Sequence, residues 1–343
     1  MHQSKYLNNI IAVSSGDSAS IATLITLKSW LKLKDKSCPF FLVANIYNTK
    51  KIIDYFRLPI IIKEIFDPKE AISFFHNFLP VFNIYQNKID NVQEFLGRRN
   101  LENIAPLLES LNTCIDLVKS NKVQAIVTNP IDKALVNEYL QGSNLFRGHT
   151  EYLAEKADVK KPIMMLCSPF SKLKVIPITT HISMKEVVST INKDKIIQSI
   201  LQAYMALRSM GVRNLNFLIL GLNPHAGEAG LMGKEEIDII IPAVEELKKM
   251  GIKIDGPVAA DTAFTLDNID KYDIIFGIYH DQVLIPFKTL YFNEGVNATL
   301  GLPFIRTSPD HGTAFSMAKD NRASEGSLVA AIIQAHNLAR GIF

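Results

Sequence analysis

Cysteine is scarce in this sequence of 343 residues: Cys38, Cys114 and Cys167 stand far apart, with no CxxC pair among them. That excludes a disulfide framework of the secreted kind and argues against a thiolate zinc site. Neither GxGxxG nor a P-loop occurs, so a Rossmann fingerprint and a Walker phosphate site both lack support. No apolar run approaches the ~20 residues that cross a bilayer. The opening stretch holds only four consecutive apolar residues, too few for the core of a signal peptide. Charge of one sign is missing too: 37 basic against 34 acidic residues give +3, with no block of like charge. A nucleic-acid footprint would need a clustered basic face. The expectation is a cytoplasmic protein that contacts neither membrane nor nucleic acid.

What is present is a large apolar fraction, 48% against 21% charged, as in globular proteins with a substantial core. The length suggests about two domains. Short apolar runs alternate with helical patterns: IIAV at 10–13, FFLVANI at 40–46, IIIKEI before Phe66, QAIVTN at 124–129, IMMLCS at 163–168, LNFLILGLN at 215–223 and DIIFGIYHD at 273–281. Runs that are apolar throughout match strands buried on both faces of a parallel sheet, and the helical spacing between them indicates α/β architecture. Helices are expected from Ser18 to about Leu33, from Asn91 to about Lys122 with a break near Gly97 or Pro106, and from Lys234 to Met250. The last carries Glu235 and Glu236 at its start and Lys248 and Lys249 at its end, with a stop at Gly251 and a kink expected at Pro242.

Polar residues cluster in loops after these strands, where open α/β sheets place ligands. Of eight histidines, His2, His76 and His336 sit at a terminus, on a helix face and in a C-terminal helix, contexts of ordinary surface or core histidines. The other five are flanked by turn residues: His149 in FRGHTEY, His181 in ITTHIS, His225 in GLNPHAGEAG, His280 in IYHDQ and His311 in SPDHGTAF. Imidazoles suit zinc and similar ions, but the spacing is long range, and independent structural histidines remain the competing account. Lys288 and Arg306, with Asn297 between them, suit a phosphate or carboxylate, or are two solvated cations. GHTE at 148–151 reads as a helix start, with Thr150 able to cap and amides free for an anion. Asp261 in GPVAADTAF and Asp281 beside His280 could orient a ligand, hold a metal or take a proton, or could merely cap helices.

Taken together, GHTEYLA, TTHIS, LNPHAGEAGLMGKEE, GPVAADTAF, YHDQVLIPFK and GVNATLGLPFIRTSPDHGTAF resemble the 4-hydroxythreonine-4-phosphate dehydrogenase family of pyridoxal phosphate biosynthesis, from about Thr128 to Ser327. The resemblance implies two α/β/α subdomains with a cleft between them, as in isocitrate and isopropylmalate dehydrogenases. It puts residues 1–131 with 290–343 in one, and 132–289, with most metal-site loops and the dimer interface, in the other. His181, His225 and His280 would bind a divalent ion (zinc, magnesium or cobalt). One histidine would come from the second subunit of a homodimer. His149, Thr150, Lys288, Asn297 and Arg306 would bind the phosphorylated substrate, Asp261 is the candidate base, and His311 and Gly312 lie on the side of NAD or NADP. The implied reaction is oxidation of 4-phosphohydroxy-L-threonine to a β-keto acid, which decarboxylates to 3-amino-2-oxopropyl phosphate.

Three segments depart from the family. Its GDPAGIG loop is GDSASIA at 16–22, the DIAG after HGTAF is SMAK at 316–319, and YHDQG is YHDQV, ending at Val283. They leave two alternatives open: a paralogous dehydrogenase of a four-carbon sugar-acid phosphate, or an idle protein that binds metal and phosphate.

Overall fold

The computed structural model describes residues 9–85, 88–141 and 145–343. His2, and the first eight residues of the stretch weighed as a signal sequence, lie outside them. Along the described residues the strands are β1 (Ile11–Ser14), β2 (Phe40–Ala44), β3 (Ile62–Ile65), β4 (Leu79–Asn83), β5 (Ala125–Val127), β6 (Ile163–Cys167), β7 (Lys174–Pro177), β8 (Asn216–Leu220), β9 (Lys253–Val258), β10 (Ile274–Gly277), β11 (Val296–Leu300) and β12 (Ile305–Pro309). The chain divides into two compact units, Met1–Lys160 with Leu302–Ile342 and Lys161–Gly301 with Phe343.

In the first unit the strand order is β3-β4-β2-β1-β5-β12, and every pairing is parallel. Ile11 pairs with Phe40 on one side and Ala125 on the other. β1, β2 and β5 are buried along their whole length, as their unbroken apolar runs require when helices cover both faces. β3 is the edge, and it exposes Lys63 and Glu64, charges that discourage pairing with another chain. Ala12, Phe41, Val43 and Ile126 pack against Leu111, Ile115 and Val118 of the helix Ile104–Lys119.

The second unit is mixed, in the order β11-β6-β7-β10-β8-β9. β6 runs antiparallel to both β11 and β7, while β7, β10, β8 and β9 are mutually parallel. Leu166, Val175, Leu218 and Ile275 form its core with Val283 and Phe287 from the helix His280–Tyr291.

Several expectations shift in position. The helices Lys133–Tyr139 and His149–Lys156 were assigned with the second subdomain, yet they belong to the first unit. Their apolar faces decide this: Leu135, Val136 and Phe146 pack on Ile104 and Leu107, and Leu153 and Ala154 join the core around Leu111. The expected break after Asn91 occurs at Gly97 (φ 78°), whereas Pro106 sits in the first turn of Ile104–Lys119, where its missing N–H costs nothing. Pro242 likewise occupies the first turn of an α-helix, Ile241–Lys249, and the preceding turn, Glu236–Ile240, is π-helical. The wider turn takes the place of the expected kink.

Candidate active site

Four neighbouring parallel strands of the second unit end in the loops that carry the predicted chemistry. His181 follows β7, His280 follows β10, His225 follows β8, and Asp261 follows β9. Open α/β sheets bind ligands beyond the carboxyl ends of such strands. The rings of His181 and His280 lie 5.5 Å apart between centroids, at an interplanar angle of 45°. His280 is the first residue of its helix, and its Nδ1 lies 2.6 Å from the Asp281 carboxylate. A carboxylate on one ring nitrogen fixes the ring's orientation and leaves Nε2 to meet an electrophile, the arrangement common to metal-bound histidines.

His225 does not join the pair. Among the described residues no group of three or more His, Cys, Asp or Glu side chains is arranged to hold a metal ion. The turn that carries His225 has an unusual backbone. Five consecutive residues, His225 to Ala229, are left-handed, with φ between 41° and 78°. Each of the four that are not glycine costs about 1 kcal/mol or more. Gly227 takes the tightest place, where a Cβ would stand 2.5 Å from Glu236 Oε2. The offsetting bonds come from beneath the turn. Glu236, only 2% exposed, accepts from the Asn223 N–H at 2.8 Å and from Asn223 Nδ2 at 3.0 Å. Asn223 Nδ2 also donates to Glu235 at 2.8 Å. Hydrogen bonds to charged groups contribute about 1.5–3 kcal/mol each, the same size as the strain.

Asp261 is exposed in a short helix, Ala260–Ala263. Lys288 lies in the last turn of the helix that His280 begins. Asn297, in β11, has a buried Oδ1 with no hydrogen-bond partner, so the strand leaves an acceptor unused.

The first unit holds a different cluster. Arg306, in β12, is 3% exposed and donates from Nε and one terminal nitrogen to Thr128 Oγ1 at 3.1 and 2.7 Å. Burial lowers its pKa to about 10, against the pull of Glu151. His149 opens the helix His149–Lys156 and packs its ring on Phe146. Burial, then the charges of Arg306 and Lys133, hold its pKa well below the usual histidine value, so the ring is neutral at pH 7. Thr150 does not cap this helix: Gly148 is the N-cap, with no side-chain cap bond, and Thr150 is the second helical residue. The sequence reading missed Lys133, whose Nζ approaches to 3.2 Å of where a Gly148 Cβ would be. Two cations, a neutral imidazole and a helix N-terminus in one place suit a phosphate.

In the loop after β12, His311 Nδ1 lies 3.0 Å from Gly312 O, and its Nε2 is buried without a partner. A Cβ at Gly312 would meet nothing within 4 Å, so the chain's own packing does not call for glycine there. The GDSASIA segment bonds to the loop just before SMAK, and both segments meet Gly97. Ile21 N–H donates to Thr313 O at 3.2 Å, Gly97 N–H donates to Ala19 O at 2.8 Å, and a Gly97 Cβ would meet Phe315 O at 3.1 Å and Lys319 Cε at 3.7 Å. Asp17 in the first segment is fully buried. Desolvation pushes its pKa up to about 6, although the Ala19 N–H it accepts, at 3.0 Å, pulls the other way. Val283, the third departure, is core: it packs on Gly277, where a Cβ would stand 2.4 Å from its Cγ1. Of the histidines set aside, His336 is buried against Pro39 O at 3.1 Å and His76 is exposed.

The chain is similar to known proteins over most of its length. The family model described as pyridoxal phosphate biosynthetic protein PdxA matches residues 36–335. The 4-hydroxythreonine-4-phosphate dehydrogenase of Zymomonas mobilis is 38% identical over 333 residues, covering 96% of this chain and 95% of its own length. That of Xanthobacter autotrophicus is 39% identical over 337 residues, covering 96% and 93%. The crystal structure of the Klebsiella pneumoniae 4-hydroxythreonine-4-phosphate dehydrogenase superposes with a TM-score of 0.82 at 32% identity, over 96% of this chain and 99% of that one. A terephthalate 1,2-cis-dihydrodiol dehydrogenase from Burkholderia xenovorans shares the fold, at a TM-score of 0.63 and 20% identity. Fold and relatives define an α/β dehydrogenase. Within that class, the chain belongs to the pyridoxal phosphate biosynthetic protein PdxA family.

Proposed function

We propose that this chain oxidises 4-phosphohydroxy-L-threonine with NAD to a β-keto acid that loses carbon dioxide to give 3-amino-2-oxopropyl phosphate, in pyridoxal 5'-phosphate biosynthesis. The observation that carries this reading is the His181–His280 pair, 5.5 Å apart at adjacent strand ends, with Asp281 on the far nitrogen of His280. The pair offers two imidazoles to a divalent ion such as zinc, magnesium or cobalt, and His225 of the partner subunit would complete the set. The ion would supply Lewis acidity toward the substrate's hydroxyl and, later, toward enolate charge. NAD, or NADP, would supply the hydride acceptor, with His311 and Gly312 on its side.

The remaining roles belong to the chain's own groups. Arg306, His149 and Thr150, joined by Lys133, are assigned to the substrate's phosphate, and Lys288 and Asn297 are assigned to substrate contacts. Fixing that end restricts how the reacting carbon can lie. His149, neutral between two cations, can donate one hydrogen bond and gain a proton once a dianion arrives. Asp261 is assigned as the base that takes the hydroxyl proton.

A homodimer fits this reading. Met184, Val188, Leu231, Met232, Ile237 and Ile241 are all exposed, and they lie on the segments next to the His181 and His225 loops. Apolar side chains gathered on one unit in this way suit a protein interface.

The test is NADH formation by the purified, metal-loaded protein with 4-phosphohydroxy-L-threonine, beside a four-carbon sugar-acid phosphate. Activity with the amino-acid phosphate is expected. Activity with the sugar acid alone would replace this substrate, and metal binding without NAD binding would indicate an idle protein.

A further inference from the structure

A continuous line of buried hydrogen bonds runs beneath the four strand-end loops of the second unit. Thr179, two residues before His181, donates its hydroxyl to Ile278 O at 2.7 Å and its N–H to the same carbonyl at 3.1 Å. Ile278, two residues before His280, donates its N–H to Gln282 Oε1 at 2.7 Å. Gln282 Nε2 then donates to Gly221 O at 2.7 Å, at the start of the turn that carries His225. The Gly221 N–H donates to Val258 O at 2.8 Å, three residues before Asp261. Glu236 closes the line through Asn223. Gln282 and Glu236 are 8% and 2% exposed.

We propose that Gln282 and Glu236 are positioning residues that hold the His225 turn in register with the His280 loop, so that His225 is presented to the partner subunit's histidine pair. This rests on the assignment of the three histidines as metal ligands. Gln282 suits the task because its amide presents an acceptor at one end and a donor at the other. The Ile278 N–H can meet only its oxygen, and Gly221 O only its nitrogen, so both loops are registered to one rigid group. Glu236 acts on the other side of the turn, where its carboxylate fills the space left by Gly227 and fixes Asn223, two residues before His225. Groups that orient ligands in this way govern how tightly a metal is held.

The test is cobalt(II) titration of the full-length protein, followed by visible absorbance, with Gln282→Met, Glu236→Gln and His280→Ala beside the parent. Amide hydrogen exchange across 223–233 is measured in parallel on the metal-free proteins. Both near-isosteric variants should bind cobalt about 10–100-fold more weakly. Their cobalt spectra should differ from the parent's, and the turn should exchange faster. Parent-like affinity, spectrum and exchange in both variants would overturn the proposal. If His280→Ala also binds cobalt like the parent, the ligand assignment is what fails. The metal-free exchange measurement still decides whether the two side chains hold the turn.

Discussion

Arg306 is held inside a strand and is 3% exposed, whereas His225 stands exposed in a left-handed turn. The first unit prepares its proposed anion site by burial: desolvation lowers the pKa of Arg306, against the pull of Glu151, and that of His149. The second unit prepares its proposed histidine site by backbone conformation, with at least partly exposed imidazoles whose loops are tied from below by Gln282 and Glu236. The contrast separates two ways to prepare a binding group: keep water away from it, or restrict where it can point. A phosphate rewards the first because it brings charge of its own. A metal rewards the second because its ligands must meet within narrow distances.

That contrast can be broken most sharply by His181→Ala or His280→Ala. Each should lower kcat by roughly a thousandfold or more and remove bound metal, with little change in Tm because both rings are at least partly exposed. Next comes Arg306→Met, which should lower kcat/KM by about a hundredfold or more, mainly through KM, while metal content stays at the parent level. Loss of metal in Arg306→Met would mean that the two clusters are not separate devices.

Stability against pH gives smaller effects in the first unit. His336 is fully buried, and burial lowers its pKa to about 4 from 6.5. The unfolded chain therefore takes up the proton first. Its contribution is complete above pH 6.5 and is lost as the pH falls toward 4, by about 3 kcal/mol. His336→Gln should flatten that part of a denaturation series. Asp17 works in the opposite sense, since burial raises its pKa from 3.8 to about 6. The unfolded chain gives up its proton first, so this contribution is complete below pH 3.8 and lost as the pH rises through 6. Asp17→Asn should therefore raise stability at pH 8 by about 2–3 kcal/mol and leave it unchanged near pH 4, as read by chemical denaturation.

Much of the fold was legible because β1, β2 and β10 are apolar along their whole length, as strands covered on both faces must be. β11 (VNATL), β12 (IRTSP) and β9 (KIDGPV) gave no such signal. They carry Asn297, Arg306 and a Gly-Pro pair, so function and turn chemistry interrupt the pattern in the strands that matter most for the site. The histidine loops could be found as polar residues after apolar runs, but choosing among five histidines took the family motifs. Lys133 escaped because Asn-Pro-Ile-Asp-Lys reads as an ordinary helix start, and only the fold brings it beside Gly148. Gln282 and Glu236 escaped for a related reason: their partners lie 61 and 13 residues away.

Val283 carries a last consequence, a coupling between two positions. With its Cγ1 where a Gly277 Cβ would lie, position 277 has lost the freedom to be anything but glycine. A glycine at 283, as in the YHDQG of the family pattern, would lack that Cγ1, so the two positions constrain each other. An alanine at 277 would meet the valine first, and then Gln282 Oε1, 3.2 Å from where its Cβ would lie. Residues moved between family members near His280 should therefore be moved in pairs.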